Sequence, residues 1–210
     1  MPDDPLRPPE AVLGFWFGDA ASDPARAAAR EGLWFGSSAE ADALVRERFV
    51  GAIAAAASGE LATWADAPRS ALALVVLLDQ FPRHVWRRTA RAFAHDPQAL
   101  ATAERAVAAG HWSQLEPVEQ AFLILPYQHS ESLAHQRESV RLSHAIIDAA
   151  PPAWRPLLER YHDFAERHRA LIERFGRFPH RNRVLGRDPT ADEAAYLGAG
   201  GESFGQGGTT

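Results

Sequence analysis

Three short segments carry acidic, basic and amide side chains where helix packing alone would favour apolar residues. The first has the sequence Leu-Asp-Gln-Phe-Pro-Arg (78–83) and follows a strongly apolar run; its polar groups belong to Asp79, Gln80 and Arg83. Because an unpaired buried charge is costly, Asp79 must have a partner. That partner could be an arginine or a helix N-terminus, which is a structural role, or these side chains could bind a ligand. We weigh the two roles equally.

The second segment, Pro-Tyr-Gln-His-Ser-Glu (126–131), begins with a proline that should break or kink a helix. A broken helix leaves backbone N–H groups free at a helix N-terminus, where an anion is favoured. His129 could then act as a general base and Glu131 as its orienting group, with Ser130 contributing to binding. In the alternative, which is the commoner use of such residues, Ser130 and Glu131 only cap the next helix.

The third segment, Arg-Phe-Gly-Arg-Phe-Pro-His-Arg-Asn (174–182), crowds arginines and a histidine into a predicted loop. Arginine binds carboxylate or phosphate through paired N–H groups, so Arg177 and Arg181 form the strongest candidate anion site, with Asn182 as a further ligand-binding residue. His180 is a second candidate for acid–base chemistry. Alternatively, the arginines bind helix carbonyls and acidic neighbours.

His168 lies on the apolar face of its predicted helix, where a histidine is more often a core residue than a functional one. It becomes a ligand-binding candidate if it faces His129 or Asp79. The spacing of possible metal ligands gives only a weak indication of a metal site. Glu131 and His135 are one helical turn apart, and Glu159-x-x-His162 is half of a di-iron signature that has no second copy. We therefore predict neither a metal site nor a cofactor.

Composition excludes several kinds of chemistry. The 210 residues contain no cysteine, and all 22 basic residues are arginine, so thiol nucleophiles, a lysine Schiff base and a lysine-dependent phosphate loop are impossible. The net charge of −5 argues against nucleic acid as a partner. The first residues lack the basic and apolar regions of a signal peptide, and the longest apolar run is too short to cross a membrane. We expect a soluble, cytoplasmic protein without a membrane partner.

Proline and glycine divide the chain at helical lengths, which predicts an all-α fold of about eight helices packed as antiparallel hairpins. Periodicity alone cannot decide between strand and helix for the apolar run 71–78. Since no other segment shows strand alternation, we predict a buried central helix over 68–80, ended near Phe81 by Pro82. One domain is expected over 1–197, followed by a flexible glycine-rich tail over 198–210, in which Phe204 could dock.

Together with these polar motifs, further short motifs identify a resemblance. The chain resembles the bacterial domain-of-unknown-function 924 family, which belongs to the tetratricopeptide-like helical superfamily. The resemblance implies stacked helical hairpins and implies no reaction. It rests on Phe-Trp-Phe-Gly (15–18), Leu-Asp-Gln-Phe-Pro-Arg (78–83), Thr-Ala-Arg-Ala-Phe-Ala (89–94), Leu-Pro (125–126), His-Ser-Glu (129–131) and the segment 174–182.

These residues favour a small-molecule-binding protein with one polar pocket built from the three segments, and acid–base chemistry could make it an enzyme. Arg177 and Arg181 would hold an anionic group with help from Arg83. The titratable group would be His129 or His180, oriented by Asp79 or Glu131. The rival hypothesis is a tetratricopeptide-like scaffold that binds a peptide or protein on a concave face. Burial of the motifs together would favour the pocket, and their spread over an open surface would favour the scaffold.

Overall fold

The computed structural model describes residues 8–204, and within that range the chain forms helices and turns without a β-strand. This confirms the predicted all-α class. Residues 1–7 and 205–210, which include part of the predicted tail, lie outside the described residues. The α-helices are α1 (Pro9–Trp16), α2 (Pro24–Trp34), α3 (Ala39–Ser58), α4 (Pro68–Val75), α5 (Phe81–Val85), α6 (Asp96–Ala108), α7 (Pro117–Leu123), α8 (Leu125–His129), α9 (Leu133–Ala149), α10 (Arg155–Phe175) and α11 (Ala191–Gly198).

Helix starts follow the local sequence closely. Proline occupies the first turn of many helices, where its missing N–H costs no hydrogen bond. Thr190 and Glu193 form a capping box at the start of α11. At the start of α3, Ser38 caps the helix by accepting a hydrogen bond from the backbone N–H of Ala41.

Aromatic side chains fill the centre of the core. Trp16 at the end of α1 packs edge-on against Phe81 and Phe122, with ring centroids 5.4 and 5.9 Å apart. All three rings are at most 1% exposed. The apolar run 71–78 is buried on every side and is helical, as predicted. Buried rings of this size dominate core energetics, so these contacts fix how α1, α5 and α7 pack together.

The predicted end of the central helix near Phe81 is wrong, because the helical path continues through Pro82 to Val85. Residues Val76–Gln80 form a π turn, in which the N–H of Phe81 bonds to the carbonyl of Val76 five residues earlier. In a regular α-helix the ring of Pro82 would clash with the carbonyl four residues back. The extra residue of the π turn relieves this clash, and π turns often occur at functional sites. This turn holds Asp79 and Gln80.

Pro126 kinks the next helical segment as predicted, since α7 ends at Leu123 and α8 begins at Leu125. A second break follows, because Ser130 adopts an extended conformation and separates α8 from α9. These breaks and the π turn explain why the structure has more α-helices than the sequence predicts. The positions of proline and glycine predicted about eight.

Helices α9 and α10 form a hairpin. Ser143 of α9 contacts His162 of α10 at 2.7 Å, whereas Leu133 at the start of α9 packs near Leu171 and Ile172 at the end of α10. The pairing therefore runs antiparallel, as short connections predict. Stacking of all hairpins in a tetratricopeptide-like arrangement stays a prediction. Within residues 8–204 we find no helix with the length and apolar character needed to span a membrane.

Candidate functional site

A cavity of about 460 Å³ lies where the three polar segments meet. Side chains from α2, the α4–α5 junction, α7, α8, α10 and the segment after α10 line it. Elements far apart in sequence thus bring polar groups to one cavity of the size that binds small molecules. Its polar lining includes Gln80, Arg83, Gln128, His129, His180 and Arg181.

Asp79 is fully buried behind the cavity wall and organises the polar groups around it. Its carboxylate accepts hydrogen bonds from Nη2 of Arg83 at 2.9 Å, from Nδ1 of His129 at 2.8 Å and from the amide of Gln80. Burial alone would raise the pKa of Asp79, but the hydrogen bonds from His129 and Gln80 and the attraction of Arg83 outweigh it and hold the pKa well below the usual value. Asp79 is therefore an ionised anchor.

Asp96 joins the two arginines that line the cavity. Its carboxylate accepts from Nη2 of Arg83 at 2.9 Å and more weakly from Nη1 of Arg181 at 3.4 Å. The guanidinium groups of Arg83 and Arg181 also lie over the ring of Phe93, with distances to its centroid of 5.3 and 4.6 Å. A second ring, that of Phe178, supports Arg181 at 4.5 Å. These contacts hold both cations in fixed positions.

Arg181 is a buried cation with incomplete compensation. It is 6% exposed, and within residues 8–204 its guanidinium makes one hydrogen bond, to Asp96. Its Nε is buried without a partner. Burial lowers the pKa of Arg181 to about 10, and the attraction of Asp96 recovers only part of this effect. A buried, under-compensated charge is destabilising, so an anion placed beside Arg181 would be favoured.

Three histidines of the cavity are held in the neutral form. Burial and the proximity of Arg83 lower the pKa of His129, and burial with its neighbours lowers the pKa of His168 still further. Burial together with repulsion from Arg181 lowers the pKa of His180 to about 3. His129 bonds Asp79 through Nδ1, so its Nε2 carries the free lone pair when the ring is neutral.

The structure also places His168 near His129, with ring centroids 6.3 Å apart. Nδ1 of His168 lies 2.7 Å from the carbonyl of Phe164, which can only accept, so this nitrogen carries the proton. Phe204, which precedes the undescribed end of the predicted tail, stacks on His168 with centroids 3.6 Å apart. His168 thus meets the condition that made it a ligand-binding candidate.

Other predicted site residues lie outside the cavity and hold the segment after α10 in place. Arg177 binds both carboxylate oxygens of Glu193 at 2.6 and 2.7 Å. Glu131 accepts from the backbone N–H of Phe178 at 2.8 Å and from Arg187 at 2.7 Å. The contact of Arg177 with an acidic neighbour matches the structural alternative given for its segment, whereas Glu131 binds the segment after α10 and does not cap the next helix.

Ser130 and Asn182 also do not line the cavity. Ser130 pairs with His135 at 2.9 Å and bonds the backbone of Ser132, which is a local turn contact. Asn182, which directly follows Arg181, is buried and only 3% exposed. Within the described residues, no group of three or more histidine, aspartate or glutamate side chains could hold a metal ion.

Sequence reasoning missed Asp96 and Phe93. Asp96 begins α6 before a proline, a position that suggests a helix start and conceals its role between Arg83 and Arg181. Phe93 lies in the motif Thr-Ala-Arg-Ala-Phe-Ala, which contributed to the resemblance but carries no chemical signal of its own. The number of arginines in the polar segments could have indicated that an acid such as Asp96 was missing from the predicted site, because buried guanidinium groups require an acidic partner.

Comparisons with known proteins agree with one another. A solved structure of a protein of unknown function from Agrobacterium tumefaciens is similar, with 36% sequence identity and a TM-score of 0.76; the match covers 90% of this chain and 96% of that one. No curated protein matches. A family model described as a bacterial protein of unknown function, DUF924, matches residues 12–201. The chain therefore belongs to the DUF924 family.

Proposed function

We propose that this protein binds a small anionic molecule in the cavity, with Arg181 as the principal anion-binding residue and Arg83 beside it. The observation that carries this proposal is the buried, under-compensated guanidinium of Arg181 in the cavity wall. Asp79 and Asp96 hold Arg83 firmly, whereas Arg181 has only the long contact to Asp96. An anion would supply the missing partner.

The same cavity contains the elements of acid–base catalysis. His129 is neutral, and its Nδ1–H donates to the ionised carboxylate of Asp79 at 2.8 Å. This hydrogen bond fixes the ring and stabilises the imidazolium that would form if Nε2 accepted a proton from a bound molecule. His129 as general base and Asp79 as its orienting residue are therefore the parts of an enzymatic function that the geometry supports best.

The scaffold hypothesis has less support. A peptide-binding surface would spread its polar motifs over an open face, whereas Gln80, Arg83 and Arg181 are each at most 8% exposed and surround one cavity. Such enclosure suits a small molecule better than a peptide backbone. An anion in the cavity is the simpler explanation for cations placed there.

A ligand screen by thermal unfolding tests the proposal. A panel of carboxylates, phosphates and nucleotides should contain at least one compound that raises the melting temperature, because a ligand bound only by the folded state stabilises it by about 2.7 kcal/mol at a hundredfold excess over its Kd. The Arg181→Gln variant should lose this response.

Arg177→Gln is the matched control, because it removes a guanidinium from the same segment outside the cavity. It should melt earlier than the parent but keep the ligand response. If Arg181→Gln responds like the parent, or if no anion in the panel shifts the transition, the arginines are structural and the proposal fails.

A further inference from the structure

The cavity has buried cations at its inner end and exposed aromatic side chains at its rim. Two of its charged groups, Arg83 and Arg181, are only 8% and 6% exposed. Its lining also includes Phe35 and Phe164, which are 48% and 42% exposed, beside the exposed ion pair of Arg160 with Glu31. A molecule that fills the cavity would therefore place its polar group inside and its apolar part toward the solvent-facing rim.

Charge at the inner end disfavours a ligand that carries two negative charges. Two cations, Arg83 and Arg181, face two carboxylates, Asp79 and Asp96, and the histidines are neutral. A carboxylate adds one negative charge beside Arg181. A phosphate ester would add about two and meet stronger repulsion from both acids.

The remaining charged groups of the lining already have partners. Arg87 binds Asp42 at 2.8 Å, His84 binds the same carboxylate at 2.8 Å, and Arg160 contacts Glu31 at 3.2 Å. None of these pairs leaves an unmatched cation near the rim. Arg181 is thus the position where an added negative charge gains most.

Aromatic surface dominates the outer part of the cavity. The rings of Phe35 and Phe122 are parallel to within 9°, with centroids 5.8 Å apart, and Tyr161 meets Phe35 edge-on at 5.7 Å. Phe204 closes the wall on the side of His168. Exposed aromatic surface beside a cavity marks a site for an apolar group, because covering it removes apolar area from water.

From this arrangement we infer that the ligand is an amphipathic monocarboxylate, bound with its carboxylate toward Arg181 and its apolar body along the aromatic rim formed by Phe35, Tyr161, Phe164 and Phe204. This inference rests on the proposed function and narrows its substrate class. It assigns the rim a role in selectivity: the carboxylate fixes orientation, and the length and shape of the apolar body determine affinity.

A matched series of probes tests separately whether the ligand needs a negative charge and whether it needs an apolar body. Melting temperature is measured with 3-phenylpropionate, octanoate, acetate, inorganic phosphate and 3-phenylpropionamide, the neutral counterpart of the first. The two amphipathic carboxylates should raise the melting temperature by about 5–10 °C at a hundredfold excess over Kd. Acetate, phosphate and the amide should give little change at the same concentrations.

Every other result with these probes contradicts either the inference or the proposed function. If acetate or phosphate stabilises as well as 3-phenylpropionate, anion binding stands but the inference fails. If the amide matches the carboxylate, the charge is irrelevant and the proposed function fails. If no probe shifts the transition, the inference fails, and the broader panel alone then decides the proposed function.

A rim variant gives an independent check. Phe164→Ala should weaken 3-phenylpropionate binding roughly tenfold while the protein still folds, because the side chain is partly exposed. Val50→Ala is the control, an exposed apolar residue of α3 outside the cavity, and it should bind like the parent. Equal affinities in both variants would remove the rim from the site.

Discussion

Asp79 has no exposed surface, yet three neighbouring side chains donate hydrogen bonds to it. A carboxylate in this position is stable only because Arg83 and His129 supply the interactions that water would otherwise make. The sequence predicts that Asp79 needs a partner, and Arg83 is found there. It could not show that His129, fifty residues later, also contacts the same oxygen.

Replacing Asp79 should be severely destabilising. Asp79→Ala leaves the guanidinium of Arg83 with Asp96 alone and frees Nδ1 of His129 in a buried site. Breaking a buried pair costs about 3–5 kcal/mol, which urea unfolding would measure. The control Asp148→Ala removes an exposed partner of His144 and should change stability by under about 0.5 kcal/mol. Similar losses in both variants would contradict the anchoring role of Asp79.

The lowered pKa values of His129, His168 and His180 predict how stability depends on pH. In the unfolded chain these rings take up protons near pH 6.5, whereas in the folded protein they stay neutral to lower pH. Below about pH 6.5 the unfolded state therefore binds more protons, and the free energy of unfolding falls as the pH falls. Above that pH the histidines contribute no slope.

Urea unfolding between pH 7.5 and 4.5 measures this effect, because the lowered carboxyl pKa values act mainly below that range. His180, whose pKa falls to about 3, should contribute up to about 1.4 kcal/mol per pH unit. His180→Gln should flatten the profile, and the exposed His144→Gln should leave it unchanged. Stability that stays constant or rises on acidification would show that these rings are not held neutral.

At the scale of elements, the segment between α10 and α11 positions Arg181. The sequence predicts its arginines as an anion site, and the structure divides them between two tasks. Arg177 pairs with Glu193, whose pKa falls to about 2 chiefly through that hydrogen bond, while Arg181 alone reaches the cavity. Spacing within a loop does not determine which side chain points inward, so this division could not be predicted.

We therefore expect Glu193 to contribute to the free energy of unfolding and not to the charge of the cavity. Glu193→Ala removes the partner of Arg177 and the capping interaction with Thr190, with an expected loss of about 1.5–3 kcal/mol. The neighbouring Asp192 pairs with Arg174 on the surface, so Asp192→Ala should cost less than about 1 kcal/mol. Chemical denaturation of both variants measures the difference, and equal losses would contradict the fastening role of Glu193.

The arrangement of the helices could also be predicted only in part from the sequence. The positions of proline and glycine predicted the helical class and the kink at Pro126, because both follow from local backbone geometry. It could not predict the π turn at Val76–Gln80, which depends on how Pro82 is accommodated in a buried helix. That turn places Asp79 and Gln80, so a feature hidden from local patterns organises the candidate site.

At the scale of the whole molecule, the fold brings the three polar segments to one cavity. The sequence predicted this convergence for Asp79, Arg83, His129 and Arg177; the first three meet, whereas Arg177 lies outside. Tertiary packing of α2, α7 and α10 supplies the aromatic walls, and no short motif encodes it. Of the polar residues selected from the sequence, those in the cavity are Gln80, Arg83, His129, His168, His180 and Arg181.

The most direct test of the central claim observes Arg181 itself. In ¹⁵N-labelled protein, the Nε–H resonances of Arg181 and Arg177 can be assigned by their loss in the Arg181→Gln and Arg177→Gln variants. Both groups are held in defined surroundings, one unpartnered and the other bonded to Glu193.

Titration with 3-phenylpropionate should shift the Arg181 resonance along a saturating curve, because the carboxylate becomes its missing partner, and leave Arg177 unmoved. An Arg181 resonance that stays in place while the protein is stabilised by the ligand would show that the anion binds elsewhere. It would contradict the account of this cavity.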